Sequence, residues 1–174
     1  MVKRTRPRLS SETELHMNLV AWLRQVGEPL YPDLRFVKHT PNEALSSGND
    51  TKAVRQPDGT YRQVPLSVLR GGLMGVRPGV FDFEFLSPNV TPIWETPFET
   101  HGDLTILTAS GRYRGLAFEL KAVGGRVETE QEIWAKHYAC NEWFTAVITG
   151  DWAPAARLLI RWVGGDPARI QGLE

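Results

Sequence analysis

The sequence predicts an α/β fold, a mainly antiparallel sheet flanked by helices. Apolar residues recur at helical spacing at the start of the chain and towards its end, and alternate with polar ones at period two in between. With 174 residues and 41% hydrophobic content, there is apolar material for one complete core and not for two. The order of elements is helix, strands, helix, strand, helix.

Residues 1–10 form a basic arm, holding Lys3, Arg4, Arg6 and Arg8 with no acid, ahead of a single domain over 11–174. Ser11 followed three residues later by Glu14 is a capping-box pattern, and Leu15, Leu19, Trp22, Leu23 and Val26 then recur as the apolar stripe of a helix. Gly27 and Pro29 end it, and after the Tyr31-Pro32-Asp33 turn Leu34 to His39 reads as a short strand. Residues 46–62 are polar and contain the Pro57-Asp58-Gly59 turn, so 46–64 reads as an exposed insertion or small hairpin.

From Phe81 to Leu86 apolar residues alternate with Asp82 and Glu84, the pattern of a half-buried strand. Pro88, Pro92 and Pro97 then break the chain, and 87–102 reads as a second insertion. Leu104 to Thr108 and Tyr113 to Lys121, turning at Ser110-Gly111, predict a hairpin. Gly124-Gly125 ends the second strand. A helix follows over about Thr129 to Cys140, a strand over Phe144 to Thr149 and a last helix over Ala153 to Trp162.

Twenty basic residues balance twenty acidic ones, so any case for nucleic-acid binding rests on distribution, such as the basic arm, and not on net charge. No run of about 18 apolar residues and no leader pattern occurs, which predicts a soluble, cytoplasmic protein with no membrane partner. A single cysteine, Cys140, forms no internal disulfide, and with four scattered histidines it offers no structural zinc quartet. Any metal is expected to be held mainly by oxygen.

Chemistry concentrates at Glu119-Leu120-Lys121. Strand side chains alternate, so Glu119 and Lys121 emerge on one face and Leu120 on the other. A carboxylate beside an ammonium suits phosphodiester cleavage, where the acid holds Mg²⁺ and the lysine orients water and offsets developing charge. A hard ion needs a second anionic oxygen. Asp82, delivered by the approach Gly75-Val76-Arg77-Pro78-Gly79-Val80-Phe81, can supply it. Asp103 is the rival: in the predicted hairpin it falls almost opposite Glu119, so local geometry favours Asp103 and motif context favours Asp82. At about 100° per residue Glu12 lies beside Leu19 and Leu23 on the inward face of the first helix. Gln131 shares an inward face with Trp134, Ala135 and Tyr138.

As a set these residues resemble the VRR-NUC branch of the PD-(D/E)XK nucleases, especially small stand-alone forms from phages and bacteria. The resemblance runs from Ser11 to about Trp162. It is carried by Ser11-Glu12 opening a helix, His39-Thr40-Pro41-Asn42-Glu43, the stretch from Gly75 to Asp82, Gly111-Arg112-Tyr113-Arg114-Gly115-Leu116 leading into Glu119-Leu120-Lys121, and Gly125-Arg126 before Gln131. Two departures stand out. Phe81 replaces the usual proline, and Asp82 lies 37 positions before Glu119 (119 minus 82), further than in the family's compact hairpin.

The resemblance implies a restriction-endonuclease-like core, a four-stranded mixed sheet in the order αβββαβ. It implies Mg²⁺ or Mn²⁺ held by Asp82, Glu119 and the Leu120 carbonyl, with Lys121 assisting water, Glu12 completing the acidic cluster and Gln131 supporting it. DNA contacts are expected at Lys3, Arg4, Lys38, His39, Asn42 and Arg77, and Trp94 is a candidate wedge between bases. Branched DNA, flaps or four-way junctions are the implied substrates, and a homodimer in a bacterial or phage-infected cell the implied setting. The competing readings are a DNA-binding module of the same fold that does not cut, and an assembly protein whose acids form only a salt-bridge network.

Overall fold

The structure is a computed structural model that describes residues 11–40, 51–65, 80–92, 103–106 and 111–173, with 51–52, 64–65 and 103–106 described by their backbone alone. Helix α1 spans Glu12–Trp22 and opens as its sequence predicts. The Ser11 N–H donates to Glu14 Oε2 at 2.8 Å and the Glu14 N–H donates to Ser11 Oγ at 3.2 Å, so two end groups that a helix leaves unsatisfied are bonded reciprocally. Gly27 and Pro29 do not stop the chain from coiling. A π-helical turn, Leu23–Gly27, passes into a helical turn, Glu28–Leu30, with Pro29 supplying no N–H to the turn before it where the coil changes from π to α.

The strand expected over Leu34 to His39 is a correction. Pro32–Phe36 is a 3₁₀ helix, and strand β1 is only Val37–His39. Proline pre-sets the helical φ of the first position, and the Leu34 N–H turns back to the Tyr31 carbonyl at 2.9 Å. Strands β2, Thr51–Arg55, and β3, Tyr61–Pro65, make a two-stranded antiparallel sheet around the Asp58-Gly59 turn. Strand β4 is Phe83–Phe85, β5 is Asp103–Ile106, β6 is Gly115–Lys121 and β7 is Trp143–Thr149. Helix α2 covers Thr129–Cys140 and α3 covers Ala153–Trp162, matching the predicted ranges.

The main sheet has five strands in the order β1-β4-β6-β7-β5, one more than the four expected, with β5 added at the edge. It is mixed: β6 and β7 are parallel, and the other three pairs are antiparallel. The hairpin between β5 and β6 does not form. Both edges of β6 are taken, by β4 and by β7, so β5 pairs with the far side of β7. Every residue of β6 is buried, which accounts for its almost continuous apolar run.

Two cores lie on the two faces of this sheet. Leu116, Phe118 and Leu120 of β6, with Phe144, Ala146 and Ile148 of β7, pack against Leu15 and Leu19 of α1 and Leu158, Leu159 and Trp162 of α3. Ala117 and Val147 point the other way, onto Phe81 and onto Ala135 and Tyr138 of α2. The start of the segment read as a second insertion is tied to the larger core: Asn89 accepts from the Tyr113 N–H and donates to the Gly111 carbonyl, and Trp162 Nε1 donates to the Ser87 carbonyl. None of the helices among the described residues is long and apolar enough to cross a membrane.

Candidate active site

The C-terminal end of β6 meets the chain entering β4 and the first turns of α1. Alternation along β6 sends Leu120 into the larger core and brings Glu119 and Lys121 together on the other face, with Lys121 Nζ donating to Glu119 Oε1 at 2.7 Å. Glu12 lies on the helix side of the same ammonium, Oε1 to Nζ 3.5 Å. Asp82 closes the group, because its main-chain N–H donates to Glu119 Oε2 at 3.2 Å. Its own carbonyl accepts from the Thr40 N–H at 2.7 Å, which extends the β1–β4 ladder by a step and fixes the backbone that carries the acid. Asp82, Glu119 and Lys121 are all buried.

Three carboxylates therefore surround one ammonium. Burial, followed by the nearby Asp82 charge, pushes the Glu119 carboxyl up to about 7 against an ordinary 4.5, and the Lys121 hydrogen bond only partly offsets this. Burial opposes the Lys121 charge, but its hydrogen bond to Glu119 and the charges of Glu119, Glu12 and Asp82 leave its pKa raised. The amine is thus a proton donor, and the proton it most readily shares lies towards Glu119.

Backbone geometry places one more oxygen. The Lys121 carbonyl accepts from the Gly150 N–H at 2.8 Å, beyond the end of β7. Successive carbonyls of a strand point to opposite sides, so the Leu120 carbonyl faces the β4 side, where Asp82 enters. Past β6 the chain turns at Gly124, whose φ of 86° favours glycine. At Gly125 a β-carbon would lie 2.8 Å from that of Lys121 and 3.0 Å from the Ala122 carbonyl oxygen, so only glycine lets the turn close over the lysine stem.

The two candidate aspartates differ in where their backbones lie relative to Glu119. Asp103 pairs with Thr149, which on its other side pairs with Lys121, so the Asp103 backbone is two strand spacings, roughly 9–10 Å, from β6. It is not opposite Glu119, whereas Asp82 touches that residue directly.

The remaining candidates divide. Gln131 is buried, as its helical face predicts, and its amide oxygen accepts from the Glu128 N–H at 3.0 Å, serving the start of α2. Lys38 lies on a different patch: it is opposite Glu84 in the β1–β4 register and 3.4 Å from its carboxylate. The other oxygen of Glu84 accepts a short hydrogen bond from the Tyr138 hydroxyl, whose pKa is raised by burial and then by Glu84. His39 stacks on Phe83, with ring centroids 4.4 Å apart, at the rim of the acid cluster. Lys3, Arg4, Asn42, Arg77 and Trp94 lie outside the described residues.

One residue of the site escaped the sequence reading. His16 is buried, its Nδ1 is 3.3 Å from His39 Nε2, and its Nε2 is 3.4 Å from Asp82 Oδ2. Burial, then the neighbouring His16 and Arg24, hold the His39 pKa at about 4, below the usual 6.5. The signal for His16 was its spacing, since four residues after Glu12 is one turn along the same helical face. Glu12, His16 and Asp82 each offer a ligand atom within 4.8 Å of the others. Comparison of the chain with protein families, with curated proteins and with solved structures finds no match.

Proposed function

We propose that this chain is a divalent-metal-dependent DNA endonuclease with a restriction-endonuclease-like core of the VRR-NUC kind, hydrolysing phosphodiesters beside Lys121. The observation that carries the reading is the meeting of Glu12, Asp82 and Glu119 around one ammonium at the end of a buried strand. A surface that only binds DNA gains nothing from buried acids, which repel phosphate. The donor set fits a hard cation, because the cluster carries more carboxylates than ammonium groups, and burial followed by the Asp82 charge holds Glu119 at about 7, a cost that a bound cation would relieve.

Asp82, Glu119 and the Leu120 carbonyl would hold Mg²⁺ or Mn²⁺, which when bound supplies Lewis-acid polarisation of the scissile phosphate. The protein's own groups do the rest. Lys121, kept protonated and steered by Glu119 and Glu12, orients the attacking water and offsets charge building on the phosphate. Glu12 fixes that amine from the helix side, and the phosphate is left on the 5′ side of the product. Lys3, Arg4, Lys38, His39, Asn42 and Arg77 are the proposed DNA contacts and Gln131 a support of the cluster. Branched DNA is the proposed substrate, and a homodimer the proposed assembly.

Purified full-length chain with duplex, flap, splayed and four-way DNA, in Mg²⁺ or Mn²⁺, tests this. Cleavage is expected, falling roughly a hundredfold or more in Asp82→Ala, Glu119→Ala and Lys121→Ala. Folded protein that cuts nothing with either ion, or unimpaired variants, would reject the reading, and gel shifts without turnover would point to a binding module.

A further inference from the structure

We propose that Glu12, His16 and Asp82 form a mixed nitrogen–oxygen site for a first-row divalent transition ion. Asp82 is shared with the nuclease reading, but the site stands on its own geometry and does not require that the chain cut DNA. Three acids near one another would not suffice; the histidine makes the difference. The His16 side chain is 6% exposed, and its Nε2 has no hydrogen-bond partner although it is aimed at Asp82. The 3.4 Å between that nitrogen and Asp82 Oδ2 is not aligned as an N–H···O bond. A nitrogen and an oxygen each about 2.1 Å from one ion, at tetrahedral angles, stand about 3.4 Å apart.

The second ring nitrogen supports the same assignment. A ligating histidine is usually oriented by a hydrogen bond from its other nitrogen, and His16 Nδ1 has His39 Nε2 at 3.3 Å. With the proton on Nδ1, directed to His39, Nε2 presents its lone pair to a carboxylate, an opposition that a cation between them removes. Glu12, one turn before His16 on α1, adds the third donor from the same helix face. An imidazole with two carboxylates favours Mn²⁺ or Zn²⁺ over Mg²⁺, which prefers oxygen alone and gives up its water reluctantly.

The test uses the full, metal-stripped chain and Mn²⁺ as probe, read by electron paramagnetic resonance with detection of nitrogen nuclei coupled to the bound ion. Wild type is expected to bind Mn²⁺ with the signature of one imidazole nitrogen, unmoved by excess Mg²⁺. His16→Gln is expected to lose the nitrogen signal and to bind Mn²⁺ about tenfold or more weakly. Should that variant fail to fold, the His39→Phe/His101→Gln/His137→Gln chain, whose one histidine is His16, must keep the signal. Absence of Mn²⁺ binding, binding without coupled nitrogen, or a signal that survives His16→Gln overturns the proposal. Cleavage is scored separately: cutting in Mg²⁺ with no coupled nitrogen overturns this site alone, and coupled nitrogen without cutting supports it while removing the nuclease reading.

Discussion

Glu119 and His39 carry displaced pKa values of opposite consequence. Glu119 titrates near 7 in the fold and near 4.5 in an ordinary environment, so the fold prefers its protonated form. The stability this contributes is full below about 4.5 and is lost as pH rises through 7. His39 behaves in the reverse sense: held at about 4, it contributes stability above 6.5 that is lost as pH falls towards 4. Of these two groups Glu119 changes the more between pH 6.5 and 8, losing more stability than His39 still gains, so metal-free protein is expected to melt at lower temperature at pH 8 than at pH 6.5. Glu119→Gln should abolish that decline, a difference on the order of 1 kcal/mol, because a tenfold change in proton activity is worth at most about 1.4 kcal/mol for one bound proton. A divalent ion requires the ionised carboxyl and should raise the melting temperature more at pH 8 than at pH 6.5. A wild-type melting curve flat from pH 6.5 to 8 would contradict this account of the cluster.

Element by element, what the chain disclosed was what is local. The capping box at Ser11, the ranges of α2 and α3, and the shared face of Glu119 and Lys121 all follow from spacings of two to four residues, and all appear in the fold. Strand partnership is a long-range matter. The turn at Ser110-Gly111 suggested a hairpin, but burial of both edges of β6 decided against it, and no short window of sequence contains that competition. His16 was hidden for another reason: a lone histidine in an apolar stripe resembles a core residue until the fold brings Asp82 to it. Because α1 sets the position of Glu12, its cap is a handle on the site. Ser11→Ala is expected to cost about 1 kcal/mol of stability, and in a metal-binding titration to weaken Mn²⁺ more than the same loss of stability introduced in α3 would.

For the whole molecule, the arrangement sets an order of stability. Strands β6 and β7 are bonded to neighbours on both sides and lie between the two cores, whereas the β2–β3 pair forms a separate sheet of two strands. Two-stranded sheets are marginal by themselves. Hydrogen exchange followed by mass spectrometry should therefore find the amides of 115–121 and 143–149 the slowest and those of 51–65 among the fastest; comparable rates in the two regions would show that the central strands do not anchor the fold. The acid cluster hangs from the slow region, so its spacing should persist through fluctuations that open the periphery.

The glycine that follows β6 gives one missing carbon atom an effect on the whole cluster. Any larger residue at position 125 would press on the stem of Lys121 and on the Ala122 carbonyl oxygen, so the turn or the stem must shift at the residue whose amine bonds Glu119. What reads along the chain as punctuation after a strand is, in three dimensions, the mould in which a single side chain is cast.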